Sequence, residues 1–160
     1  MRVLRIFISP EHNYFGHYGK PPGDAPMVEL AEAELVAGQG IAGDRFFGFK
    51  DDYKGQVTFF SAEVFDDLCA RFGVADRDAD AFRRNLLVSG VDLNSLIGEE
   101  FEIQGIRFRG DSECSPCYWM EQAFCEGAEA ALKGRGGLRA KILTSGTLRA
   151  EAPHLSPAHA

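Results

Sequence analysis

Phe101-Glu102-Ile103-Gln104-Gly105-Ile106-Arg107-Phe108 is the stretch that decides the class of fold. Apolar and polar residues alternate on both sides of Gln104-Gly105, the pattern of two strands joined by a two-residue turn. Working outward, the same kind of signal recurs. Towards the N-terminus, residues 86–88, 56–60 and 3–8 are short β-rich runs. Towards the C-terminus, residues 138–143 carry Arg139 and Lys141 between apolar neighbours. Ser145-Gly146 then turns into a last short strand near Leu148. Residues 27–37 are apolar with acids at Glu29, Glu32 and Glu34; helix and strand both fit, and the run directly into glycines favours strand.

Helical signals are fewer. Ser61 caps a helix whose Val64, Leu68 and Phe72 share a stripe with Phe65 beside it, and Gly73 stops it. A second helix is expected over residues 116–133, ended by Gly134-Arg135-Gly136-Gly137. Residues 76–81 are an acidic connection with room for one helical turn, and residues 92–97 are turn-like. Residues 10–26 form a long aromatic and glycine-rich loop containing His12, Asn13, His17 and Lys20; a loop of this length in a compact domain is usually functional or mobile. The expectation is an α+β, mostly β, barrel-like domain with a few flanking helices. It is one domain over residues 1–152, with a loose tail at 153–160 and no internal repeat.

Composition narrows the function classes. A chain of 160 residues that is 45% hydrophobic and 26% charged is ordinary for a globular domain with one real core. The formal net charge of −7 argues against nucleic-acid binding by general charge, though not against a local basic pocket. No apolar run approaches the ~20 residues that span a bilayer. The N-terminus lacks the marks of a signal peptide, so a cytoplasmic location is the default. There the four cysteines are expected to be thiols.

Chemistry is expected at Cys114-Ser115-Pro116-Cys117. Ser115 reads as an N-cap and Pro116 as the first helical residue, which puts Cys117 in the first turn, where a helix end favours the thiolate. A thiolate attacks, carries sulfur or binds a soft metal. The competing reading is a buried small hydrophobe, the usual fate of a free cysteine. Glu113 and Glu121 oppose thiolate formation, so cationic help from elsewhere in the chain is required. Cys114 reads as a resolving thiol, a second ligand or a bystander; Cys69 and Cys125 read as structural. Arg83-Arg84-Asn85 and the Arg135–Arg139 cluster are the cationic candidates for a shared anion pocket. The glycine-dense turn ending in Asp44-Arg45 could cradle an anion or hold an internal ion pair. His12, Asn13 and His17 could line a pocket mouth.

Taken in order, Gly40-Ile41-Ala42-Gly43-Asp44-Arg45, Gln56-Val57-Thr58-Phe59-Phe60, Arg83-Arg84-Asn85-Leu86, the hairpin, Cys117 and Gly136-Gly137-Leu138 resemble the MOSC domain, named after the C-terminal part of molybdenum cofactor sulfurases. The likeness spans residues 3–150 and is nearest to the small standalone bacterial members. It implies a β-barrel-like fold with one key cysteine, here Cys117, which carries sulfur as a persulfide or binds the molybdenum of the pterin cofactor, molybdopterin. It also implies basic residues for the cofactor's phosphate and pterin: by position Arg83, Arg84 and Asn85 match one such segment and Arg139 is a looser match, while Asp44 and Arg45 of the glycine turn are further cofactor-binding candidates. Some members reduce N-hydroxylated compounds with redox partners. A cysteine desulfurase would be the partner for sulfur transfer. The pyridoxal phosphate chemistry of the larger sulfurases belongs to another domain, and no Schiff-base lysine is placed here. Two departures stand out: the last strand runs into Thr147-Leu148-Arg149-Ala150-Glu151-Ala152-Pro153 rather than a glycine-aspartate turn, and Cys114 is an extra cysteine, leaving open a reversible Cys114–Cys117 disulfide.

Overall fold

The computed structural model describes residues 1–12 and 25–151. In chain order, strands β1 (Arg2–Ile8), β2 (Val28–Leu30), β3 (Glu32–Val36), β4 (Gly40–Ile41) and β5 (Val57–Ser61) lead into helix α1 (Ala62–Phe72). A 3-10 turn (Ala79–Phe82) precedes β6 (Leu86–Ser89), and a second (Leu93–Leu96) precedes β7 (Glu100–Ile103) and β8 (Ile106–Glu113). Two short helices, α2 (Trp119–Ala123) and α3 (Ala128–Ala131), come before β9 (Leu138–Ile142) and β10 (Gly146–Arg149).

The expected hairpin is β7–β8. Phe101 pairs with Phe108 and Ile103 with Ile106, and Gln104 and Gly105 turn at positive φ (53° and 82°). That turn twists with the strands it joins. Residues 27–37 do form strands, broken at Ala31 into β2 and β3. Seven strands form one sheet in the order β2-β1-β6-β5-β9-β8-β7, and β10-β3-β4 form a second. The mostly β, half-barrel α+β architecture is therefore as expected.

Strand alternation sends side chains into two cores. Val57 and Phe59 of β5, Leu86 and Val88 of β6, and Leu138, Ala140 and Ile142 of β9 face inward, where Leu35, Ile41 and Leu148 of the small sheet cover them. Phe60 and Leu87 point to the opposite face and meet Leu68, Phe82, Met120, Phe124 and Leu132. Burying a Leu or Phe of this kind contributes roughly 1.5–3 kcal/mol. Helix α1 begins as expected: the Ser61 Oγ accepts from the Val64 N–H at 3.2 Å, and Gly73 closes the helix at φ 63°.

The second helix departs from expectation. It begins at Trp119, not at residue 116, and it breaks after Ala123. Ser115 makes no cap, and Cys117 lies outside the helix, with its carbonyl accepting from the Met120 N–H at 3.0 Å. The break has a clear cause. The Glu121 carboxylate turns round to accept from the N–H groups of Gly127 (2.9 Å) and Glu129 (2.8 Å), starting a fresh helix at Ala128. The two pieces then place Met120, Phe124, Ala128 and Leu132 in one core. One straight helix would present that many apolar residues only along a single stripe.

Candidate functional site

A cavity of about 380 Å³ opens where the 114–119 segment, the starts of β5 and β9, the Arg45–Gly55 loop and the Phe82–Arg84 corner meet. This is within the ~300–1,000 Å³ range of small-molecule sites. Its wall includes Cys114 and Cys117, the arginines 45, 83, 84 and 139, and the aromatic residues Phe46, Tyr53 and Trp119. No aspartate or glutamate lines it among the described residues. In a chain of net charge −7, this local excess of cations is the basic pocket that composition had left open.

The four arginines are held in four different ways. Arg83 closes the 3-10 turn at φ 56°, and its buried guanidinium donates to the Ala25 carbonyl (2.9 Å), the Ser9 Oγ (2.9 Å) and the Glu11 carbonyl (3.0 Å). Arg45 pairs with Asp44 at 3.1 Å and stacks over Phe46. Burial lowers the Arg45 guanidinium from its ordinary value; Asp44 opposes this and nearby Arg84 reinforces it. Arg84 donates to three main-chain carbonyls, those of Phe82 (2.8 Å), Gly136 (3.1 Å) and Cys114 (3.2 Å). The Arg139 guanidinium makes no hydrogen bond or ion pair to another described residue. An arginine fork that no carboxylate or carbonyl occupies is available to an anionic ligand.

His12 sits on the same wall, edge-on to Phe46 at 4.9 Å and to Phe49 at 5.9 Å. Burial lowers its imidazole from the ordinary value, Arg45 adds to this, Asp44 opposes it and Arg83 adds a smaller push downward. The ring is therefore neutral at pH 7.

Cys117 is exposed and Cys114 is buried, and all four cysteines are free thiols. Because Cys117 precedes α2, the expected helix-end activation does not apply; the charges that share its cavity are arginines. The acids expected to oppose it are engaged elsewhere. Glu113 accepts from the Gly136 N–H at 3.2 Å, and Glu121 caps α3. The loop lies tight on β9's approach. A Cβ at Gly136 would stand 2.3 Å from the Cys114 carbonyl oxygen and 3.0 Å from the Pro116 Cδ.

A MOSC domain model matches residues 43–153 of this chain. The chain belongs to the MOSC family. Solved structures share the fold across nearly the whole chain. YuaD from Bacillus subtilis superposes with a TM-score of 0.69 at 17% identity, over 93% of this chain and 91% of that one. YiiM from Escherichia coli gives 0.63 at 19% identity, over 96% and 68%, and YiiM from Geobacillus stearothermophilus gives 0.67 at 15%, over 95% and 72%. Comparison with curated protein sequences finds no match.

The MOSC fold gathers Cys114, Cys117, Arg45, Arg83, Arg84 and Arg139 from distant parts of the chain to one cavity. It does not bring Asn85 or Asp44 to the wall. Asn85 is buried, with its Oδ1 accepting from the Thr58 N–H and hydroxyl and its Nδ2 donating to the Phe7 carbonyl. Asp44 is also buried, accepting from the N–H groups of Ser9 and Phe46 as well as from Arg45. Both make the turn that carries the cavity rather than the cavity itself. Arg135 points elsewhere, to Asp67 at 2.7 Å. Asn13, His17 and the 153–160 tail lie outside the described residues. Phe46, Tyr53 and Trp119 complete the wall without having been singled out in the sequence. The signal for Phe46 and Tyr53 was the aromatic residues set among glycines and charges after Arg45, and for Trp119 its place two residues after Cys117.

A molybdenum-pterin group suits this donor set. Arginine forks match a phosphate, flat aromatic walls match a ring system, and the exposed thiol of Cys117 is a soft ligand. Among the described residues, no group of three or more His, Cys, Asp or Glu is gathered to cage a metal. Among the same residues, no helix is long and apolar enough to cross a membrane.

Proposed function

We propose that this MOSC domain binds an anionic molybdenum-pterin cofactor, with Cys117 as the protein ligand to the metal and with the arginine-lined wall holding the phosphate. The observation that carries the reading is the wall itself: four arginines and an exposed thiol on one cavity that no carboxylate lines among the described residues. When bound, the group supplies a redox centre for two-electron reduction of an N–O bond, with electrons from a separate redox partner protein.

The chain's own residues do the rest. Arg139 offers an unoccupied fork to a phosphate or anionic group. Arg45, neutralised by Asp44 and stacked on Phe46, shapes the wall. Phe46 and Tyr53, stacked at 5.3 Å, present flat apolar surface and exclude water. Neutral His12 can accept a proton at a ring nitrogen and return it to a leaving oxygen.

The test is metal and pterin analysis of protein made in a host that synthesises the cofactor. Wild type should carry molybdenum and pterin together, and Cys117→Ser should lose the metal. Wild type without metal, or Cys117→Ser with it, sinks the reading.

A second reading, sulfur transfer, is favoured by the exposure of Cys117, which a partner protein can reach. A cysteine desulfurase would donate sulfane sulfur to the Cys117 thiolate. Mass spectrometry after incubation with such an enzyme and cysteine should then show a persulfide on Cys117 alone. Cys114 could release that sulfur as a disulfide only if its buried loop opened.

A further inference from the structure

We propose that Arg84 is a positioning residue for the thiol loop rather than a ligand-binding cation. All three of its guanidinium nitrogens already donate to main-chain carbonyls, and each carbonyl belongs to a different piece of the site. Phe82 belongs to the corner before β6, Gly136 to the approach to β9, and Cys114 to the loop that ends in Cys117. No carboxylate pairs with Arg84 among the described residues. Three of its five N–H donors, one on each nitrogen, are therefore committed to the main chain, and its charge is left over as part of the cavity's field.

Two further contacts make the arrangement a clamp. The Cys114 N–H donates to the Gly137 carbonyl at 2.8 Å, so the loop is held to the glycine pair from its other side. The missing Cβ of Gly136 lets the Cys114 carbonyl come close enough for Arg84 to bridge both residues. Arginine alone can span three carbonyls in one plane; a lysine ammonium is a single point on a flexible stem. Held this way, Cys114 is sealed and Cys117, three residues on, is set at the rim of the cavity. The inference concerns the placement of Cys117 and holds whether that thiol binds a metal or carries sulfur.

The experiment is timed alkylation of the purified full chain with iodoacetamide at one pH, read at each cysteine by peptide mass spectrometry. Cys69 and Cys125, which pack against the helical core, serve as internal references. In the wild type, Cys117 should label first and Cys114 should be protected. In Arg84→Met and Arg84→Lys alike, Cys114 labelling should rise about tenfold, with the reference cysteines unchanged, since lost hydrogen bonds from a charged donor convert to roughly that factor. Gly136→Ala, which keeps Arg84 but pushes the carbonyl away, should unseal Cys114 as well. Protection retained in Arg84→Met, or restored by Arg84→Lys, overturns the clamp. A rise at all cysteines together also overturns it, because Arg84 would then support the whole fold. The readout uses no cofactor, so failure of the molybdenum reading leaves this result standing, and the reverse also holds.

Discussion

Asn85, the residue just before β6, and Thr58 of its parallel neighbour β5 are joined by three hydrogen bonds. The Thr58 N–H (3.0 Å) and hydroxyl (3.1 Å) both donate to the Asn85 Oδ1, and the Asn85 N–H donates to the Thr58 Oγ1 at 3.0 Å. Asn85 also reaches the Phe7 carbonyl and the Asp44 carboxylate, so one buried amide ties β1, β5, β6 and the glycine turn together.

Asn85→Ala should therefore act on stability more than on ligand binding. It strands several buried polar groups, each costing ~1–3 kcal/mol, and the expected total loss is about 3 kcal/mol. Urea unfolding measures it. A midpoint unchanged from wild type would show that water or repacking takes over the amide's partners.

Arg139→Gln should show the opposite pattern. Its guanidinium makes no hydrogen bond or ion pair among the described residues, so the melting temperature should be unchanged. Titration calorimetry with inorganic phosphate should show affinity weakened by roughly tenfold or more, the value of one charge-assisted hydrogen bond. Equal affinity in wild type and Arg139→Gln would mean that the anion is held elsewhere on the wall.

His12 makes stability depend on pH in a stated direction. Its folded value lies below the ordinary value of about 6.5. Between the two values the unfolded chain binds more protons, so stability rises with pH across that window. It is complete above about 6.5 and is lost as pH falls through the folded value. His12→Gln should flatten this slope in thermal melts between pH 5 and 7, a window set by the histidine reference value of about 6.5. A slope that persists in His12→Gln assigns it to another group.

Much of the fold was legible because period-two alternation and glycine turns are local. Residues 101–108 paired as their pattern demands, and Ser61 and Gly73 bounded α1 as their chemistry demands. The second helix was misread because its boundaries depend on contacts far away in sequence. Ser115 and Pro116 are good helix starters in isolation, but Arg84 and Gly136 hold that segment along β9 instead. Glu121, expected to weigh against the thiol, is spent on capping α3; backbone N–H donation lowers its carboxyl from the ordinary value.

The sequence by itself determined the MOSC membership and the mostly β architecture, since each rests on residue type, order and local periodicity, and it named Cys117 as the candidate thiol. Only the tertiary structure decided what each polar residue of these motifs does. Arg83, Arg84 and Asn85 are consecutive, yet one anchors the segment that follows β1, one clamps the thiol loop and one fills the interior. Arg139, the loosest match in sequence, is the arginine whose fork is left open. The reason is physical. A side chain's chemistry is carried in its sequence, but whether its hydrogen bonds are already taken depends on which distant backbone groups the fold brings beside it.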